Sequence, residues 1–173
     1  MNRNLIPRLP PLEVPSGGDL RRILFVCDGN ICRSPAALAF LQGHQAAGRL
    51  PGWVADSAGL IAGHGDVPLA TTCLAARGEG IPLESHRARH LAPAQDRPHL
   101  ALIMEDRQRV PVMQVTGLGA ERVLMLGAFA TDAGDPAIPD PFGATAATYT
   151  ACLRQIRAAV DGLVAWLEQV SGC

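Results

Sequence analysis

Lysine is missing from this chain: all fifteen of its basic residues are arginine, set against sixteen acidic ones, and the net charge is −1. So even a balance gives no global field to gather nucleic acid or an anionic membrane, and any preference for anions must be built locally. Aromatic residues make up only 4% of the 173, which leaves alanine, leucine and valine to fill a core. No apolar run approaches the roughly 20 residues of a membrane span. The first stretch, MNRNLIPRLPPLEVPSGGDLRR, also lacks the continuous apolar centre of a secretory signal, so the expectation is a cytoplasmic protein with no direct membrane insertion. Five cysteines, at 27, 32, 73, 152 and 173, are odd in number and contain no C-x-x-C unit, which speaks against a disulfide scaffold and against structural zinc.

What is present is a βαβ rhythm. Four short apolar runs, 23–27, 53–58, 100–104 and 123–126, lack the polar alternation of a half-exposed sheet and suit strands buried on both faces. Segments of helical composition, 35–47, 68–77 and 106–115, lie between them. A long final one at 144–170 places Tyr149, Leu153, Ile156, Val160, Leu163, Val164 and Leu167 at spacings of three and four. The pattern predicts an α/β fold of one domain, 21–173: a three-layer, doubly wound sheet of four parallel strands with helices on both faces. Residues 1–20 are proline-rich without a period and read as an extended leader. Ligands of such sheets bind at the carboxyl ends of the strands, where the first run ends in Cys27.

The residues after that strand, Cys27-Asp28-Gly29-Asn30-Ile31-Cys32-Arg33-Ser34, form a loop with a purpose. Gly29 and Asn30 are types that tolerate positive φ, so the chain can curl until successive backbone N–H groups point inward. Arg33 then brings a planar fork matched to two oxygens of a tetrahedral oxyanion. The same donors and the start of a helix favour a negative sulfur, so Cys27 is expected to titrate well below the ~8.5 of a free thiol. A thiolate at the floor of a phosphate cradle is a phosphoryl acceptor, and Ser34 can hydrogen-bond that sulfur as it leaves.

The C-x5-R-S signature of Cys27 to Ser34 resembles that of the low-molecular-weight protein tyrosine phosphatases. The likeness continues through DSAGL at 56–60, SHRARHL at 85–91, LALIMEDR at 100–107 and IPDPFG at 138–143. It implies Cys27 as nucleophile, Arg33 as clamp on the phosphate and transition state, and Asp140 as the acid that protonates the leaving phenolate and then activates water. Asp28, Gly29, Asn30, Ile31, Cys32 and Ser34 would form the phosphate-binding loop, with Ser57 and His86 supporting it. Asp135 starts a competing Asp-Pro pair, but the aromatic after the second pair favours Asp140. Phe142 would form one substrate wall. The other is low, since Gly63 stands where an aromatic is common in the eukaryotic branch, with His64 next to it.

The pattern S-A-G-L-x-A-x-x-G at 57–65 resembles the bacterial branch associated with exopolysaccharide synthesis and export. That branch implies as partner a phosphotyrosine protein, the tyrosine-rich tail of a membrane autokinase. His86 and His90 stand four apart without a third ligand, so neither metal nor cofactor is expected. Cys32 is either a packing residue or a partner that shields Cys27 in a reversible disulfide. Asp28 is a departure, because a carboxylate beside a dianion should weaken binding unless it turns away or pairs with an arginine. Two other functions remain open: an arsenate reductase of the same fold, which needs closely spaced redox cysteines where 73 and 152 stand isolated, and a non-hydrolytic phosphate-binding module.

Overall fold

In the computed structural model, residues 20–93, 96–130 and 134–171 are described; the leader proposed for 1–20 lies, but for Leu20, outside them, as does Cys173. The sheet is built from β1 (Arg21–Cys27), β2 (Trp53–Gly59), β3 (Leu100–Ile103) and β4 (Val123–Met125). All pairs are parallel, in the order β2-β1-β3-β4. The helices are α1 (Arg33–Ala46), α2 (Ala70–Gly78), α3 (Arg109–Thr116) and α4 (Ala146–Ser171).

Side chains alternate along β1. Ile23, Phe25 and Cys27 enter a core shared with Ala36, Phe40 and Leu41 of α1, Ala75 and Ala76 of α2, and the apolar stripe of α4. Leu24 and Val26 enter a smaller core on the opposite face with Val112 of α3 and Leu91. Helices therefore cover both faces, and the doubly wound three-layer arrangement expected from the sequence is the one observed. Alanine does much of the packing, which suits a chain with few aromatics. Glycine matters where α4 runs closest to the turn after β4: a Cβ on Gly162 would lie 1.9 Å from the carbonyl oxygen of Phe129, so only glycine allows that approach.

Two elements differ from expectation for local reasons. The helix expected from 106 opens as a 3-10 turn at Asp106–Gln108, where Glu105 and Gln108 make a reciprocal capping box, and the α-helix itself starts at Arg109. Pro111 fits there because the first turn needs no N–H from it. Strand β4 stops at Met125 because Leu126 begins another 3-10 turn, Leu126–Phe129. The chain leaves β1 for β2 on one side and returns to β3 on the other. Cys27 thus stands at the switch point of the sheet, at its carboxyl edge.

Candidate active site

The loop between β1 and α1 closes around its own first residue. Asn30 sits in the left-handed region at φ 52°, and its N–H donates to the Cys27 sulfur over 3.2 Å. Ser34 Oγ lies 3.1 Å from the same sulfur. Asn30 is the hub that fixes this curl. Its Nδ2 donates to Ser34 Oγ at 2.8 Å and to Ser57 Oγ at 3.0 Å, and its Oδ1 accepts from the N–H of Arg89 at 3.0 Å. The His86 ring nitrogen meets the Asn30 carbonyl oxygen at 2.8 Å. Burial holds the His86 pKa below its ordinary value, which favours a neutral ring that donates to that carbonyl. Gly59, at the end of β2, lets the loop lie against the sheet: a Cβ there would stand 2.5 Å from the Asp28 carbonyl oxygen and 2.9 Å from the Asn30 nitrogen.

Asn30→Ala would forfeit three side-chain hydrogen bonds while keeping a strained backbone, a loss of about 3 kcal/mol. We expect the melting temperature to drop by roughly 6–12 °C. Thermal unfolding followed by circular dichroism is the check; an unchanged midpoint would mean that the hub contributes nothing to stability.

Arg33 has its side chain only 1% exposed and carries a crowd of acceptors. Nη1 donates to Glu105 Oε1 at 2.5 Å and to the Ile138 carbonyl at 3.2 Å. Nη2 donates to Asp28 Oδ2 at 3.0 Å and to Asp140 Oδ2 at 2.5 Å. The carboxylates raise the guanidinium pKa against the opposing effect of burial, so the group stays charged. Burial also brings a correction at Cys27. Its thiol is pushed above its ordinary value, burial being the largest cause, while hydrogen bonds from Ser34 and Asn30 and the charge of Arg33 pull the other way. The expected low value counted the donors and the Arg33 charge but left out the cost of burying a charged sulfur, and Cys27 is only 2% exposed.

The cleft above the sulfur has a volume of about 350 Å³. Cys27, Asp28, Gly29, Ile31, Cys32 and Arg33 all reach it from the loop, with Asp140 and Phe142 facing them from the segment before α4. Asp135 instead receives the N–H of Ala137 at 2.9 Å in a turn and does not line the cleft. His64 is exposed and also lies outside the lining; the wall expected from it is made by Ile61 and Leu69. Sequence reasoning missed these two, along with Tyr149 at the cleft and Glu105 on Arg33. For Glu105 the readable signal was the E-x-x-Q spacing with Gln108.

Cys27, Cys32, Cys73 and Cys152 are free thiols, and burial pushes Cys32 well up and Cys152 up to about 12. His90 lines a separate groove with Leu60 and Arg107. Among the described residues no group of three His, Cys, Asp or Glu is placed to hold a metal ion.

A parallel α/β sheet whose central strand ends in a cysteine, cradled by inward N–H groups and a buried arginine, defines the class of cysteine-based phosphate sites. Residues 22–171 match the family described as low molecular weight phosphotyrosine protein phosphatase, and the chain belongs to that family. It is 34% identical over 168 residues to a low molecular weight protein-tyrosine-phosphatase of Streptomyces coelicolor, covering 87% of this chain and 96% of that one. It is 30% identical over 148 residues to a protein-arginine-phosphatase of Geobacillus stearothermophilus, covering 85% and 96%. The crystal structure of the Erwinia amylovora tyrosine phosphatase amsI superposes with a TM-score of 0.72 at 25% identity, over 87% of this chain and 95% of that one.

Proposed function

We propose that this protein hydrolyses phosphotyrosine in proteins through a phosphocysteine intermediate. The observation that carries the reading is the placement of Cys27, Arg33 and Asp140 around one cleft, with Asp140 on the very guanidinium nitrogen that a phosphate would take. An arriving phosphate dianion displaces Asp140 from Nη2, and the loop N–H groups and Arg33 hold its oxygens. Beside that dianion the freed carboxyl is favoured in its protonated form.

The sulfur of Cys27, as thiolate, attacks phosphorus. The S–P bond forms, the bond from phosphorus to the phenolic oxygen breaks, and Asp140 gives its proton to that oxygen. Water then attacks phosphorus, Asp140 takes its proton, and the S–P bond breaks to return the thiolate. Ser34 Oγ and the Asn30 N–H receive the negative sulfur. Glu105 remains on Nη1 throughout and keeps the clamp aimed.

Ile31, Ile61, Leu69 and Phe142 give the cleft apolar walls suited to a phenyl ring, and phosphoserine is too short to gain that contact. Asp66 at the same cleft supports a second reading, phosphoarginine, because a carboxylate there could receive a guanidinium. The proposed partner is the tyrosine-rich tail of a membrane autokinase in exopolysaccharide synthesis or export, and the place of action the cytoplasm. The cleft wall at Ile61 and Leu69 is exposed to solvent, which suits a flexible tail presented without a matching sequence pocket. No helix among the described residues is long and apolar enough to cross a membrane.

The deciding experiment is a panel of peptides carrying phosphotyrosine, phosphoarginine or phosphoserine, run beside a phosphorylated autokinase tail and an assay of arsenate reduction with thiols. We expect phosphotyrosine to be hydrolysed at least about a hundredfold faster than phosphoserine, with little effect of flanking residues. Faster release from phosphoarginine would establish the second reading, inertness toward the tail would remove the partner, and activity on arsenate alone would overturn the phosphatase.

A further inference from the structure

We propose that Asp28 is a positioning residue that, gripped by Arg107 and Gln108, sets how much of the Arg33 guanidinium is free to take a phosphate. The proposal deepens the phosphatase reading and rests on it. Directly after the nucleophile, a carboxylate is badly placed for a site that receives a dianion, and Asp28 does not face away. Its Oδ2 sits 3.0 Å from Arg33 Nη2, the nitrogen also held by Asp140.

The opposite side of Asp28 holds it more tightly. Arg107 Nη2 donates to Oδ2 at 2.5 Å and Nη1 to Oδ1 at 3.2 Å, while Gln108 Nε2 donates to Oδ1 at 2.9 Å. Gln108 is itself fully buried and fixed, since its Oε1 accepts from the backbone N–H groups of Met104 and Glu105. Arg107 also reaches Glu105 Oε1 at 2.9 Å, the oxygen that holds Arg33 Nη1. Two guanidiniums and two carboxylates thus close a ring: Arg33, Asp28, Arg107, Glu105. Burial pushes the Asp28 pKa up, but hydrogen bonds from Arg107 and Gln108 and the two positive charges outweigh it and hold the carboxyl below its usual range.

The ring has one adjustable member. The Arg33, Asp28 and Glu105 side chains are 1%, 13% and 24% exposed, whereas the Arg107 side chain is 59% exposed. While Arg107 holds Asp28, a phosphate that takes Nη2 displaces a weak, shared contact and meets a carboxylate already neutralised. Without Arg107, the charge of Asp28 falls on Arg33 alone and opposes the phosphate. Without the charge of Asp28, Arg33 is freer and the thiolate of Cys27 is less opposed. The other charged or titratable groups around that sulfur are Arg33, Cys32 and Cys152, while Asp140 lines the same cleft and His86 acts through the Asn30 carbonyl.

The test measures inorganic phosphate binding by calorimetry and the pH dependence of Cys27 alkylation by iodoacetamide, in the full chain and in Asp28→Asn, Arg107→Gln and the double variant. Asp28→Asn should bind phosphate about three- to tenfold more tightly and be alkylated at lower pH, as expected when one charge a few ångströms away is removed. Arg107→Gln should bind about three- to tenfold more weakly, and the same change in the Asp28→Asn background should have less than about a twofold effect. Unchanged or weaker phosphate binding by Asp28→Asn would overturn the proposal. An equal loss from Arg107→Gln in both backgrounds would also overturn it, by placing Arg107 on the phosphate itself. Should Arg107→Gln fail to fold, the shape-conserving Asp28→Asn decides alone, since general destabilisation would neither tighten binding nor shift the alkylation profile downward. Neither readout needs turnover, so a wild-type protein inert toward aryl phosphates would defeat the phosphatase reading separately.

Discussion

Cys27→Ser is expected to lose turnover by on the order of a thousandfold or more while still binding inorganic phosphate. The two halves of that expectation come from different parts of the site. Turnover requires a nucleophile that ionises, and a serine hydroxyl in the same place is far harder to deprotonate than a thiol. Binding depends on the loop N–H groups and on Arg33, whose contacts run to Glu105, Asp28, Asp140 and the Ile138 carbonyl and not to the sulfur. The curl itself is held by the Asn30 side chain on Ser34 and Ser57, which the substitution leaves in place. Hydrolysis of an aryl phosphate and calorimetry with phosphate, on the same preparation, separate the two. Near-normal turnover would eliminate phosphocysteine chemistry, whereas loss of phosphate binding would mean that the sulfur holds the cradle open.

How much of this site could be read from the sequence depends on how local each relation is. The strand, the curl and the start of α1 are encoded within a dozen consecutive residues, so Cys27, Asn30, Arg33 and Ser34 could be placed in one cradle before any fold was known. The sheet followed from the apolar runs because strands buried on both faces have a composition of their own. Ser57 and His86 required the family resemblance: nothing in their own neighbourhood says that both fasten Asn30. The E-x-x-Q spacing of Glu105 and Gln108 signals a capping box, but the contacts of Glu105, Arg107 and Gln108 with the loop were out of reach because they form only when β3 pairs beside β1. The thiol expectation failed because the burial that raises Cys27 is set by the packing of the whole fold. Three carboxylates from three separate segments converge on Arg33, and that convergence too is a property of the fold. Asp28 shows both sides of this, since its conflict with a dianion was legible and its resolution by Arg107 was not.

Asp140→Asn is expected to alter the dependence of rate on the leaving group more than the rate itself. With Asp140 in place, kcat/KM should vary little along a series of aryl phosphates, because the proton arrives as the bond to phosphorus breaks. Without it, poor leaving groups such as phenolate must depart as anions, and kcat/KM for them should fall by about a hundredfold or more, as general acids of this kind typically contribute. Good leaving groups need no proton and should lose less than about tenfold in kcat/KM, which reports only the steps up to phosphocysteine. The second half of the cycle adds an independent signature. Asp140 is also the base for the attacking water, so with good leaving groups the variant should release one equivalent of phenolate in a burst and then stall at phosphocysteine.

The geometry makes a third demand on the same variant. Asp140 Oδ2 accepts from Arg33 Nη2, and a neutral amide competes for that nitrogen less well than a carboxylate, so inorganic phosphate should bind more tightly to Asp140→Asn. Neither Asp135, bound into its own turn, nor Glu105, held on Nη1, can produce this combination. An equal loss for good and poor leaving groups, without a burst, would move the acid role away from Asp140 and leave its contact with Arg33 as a structural ion pair.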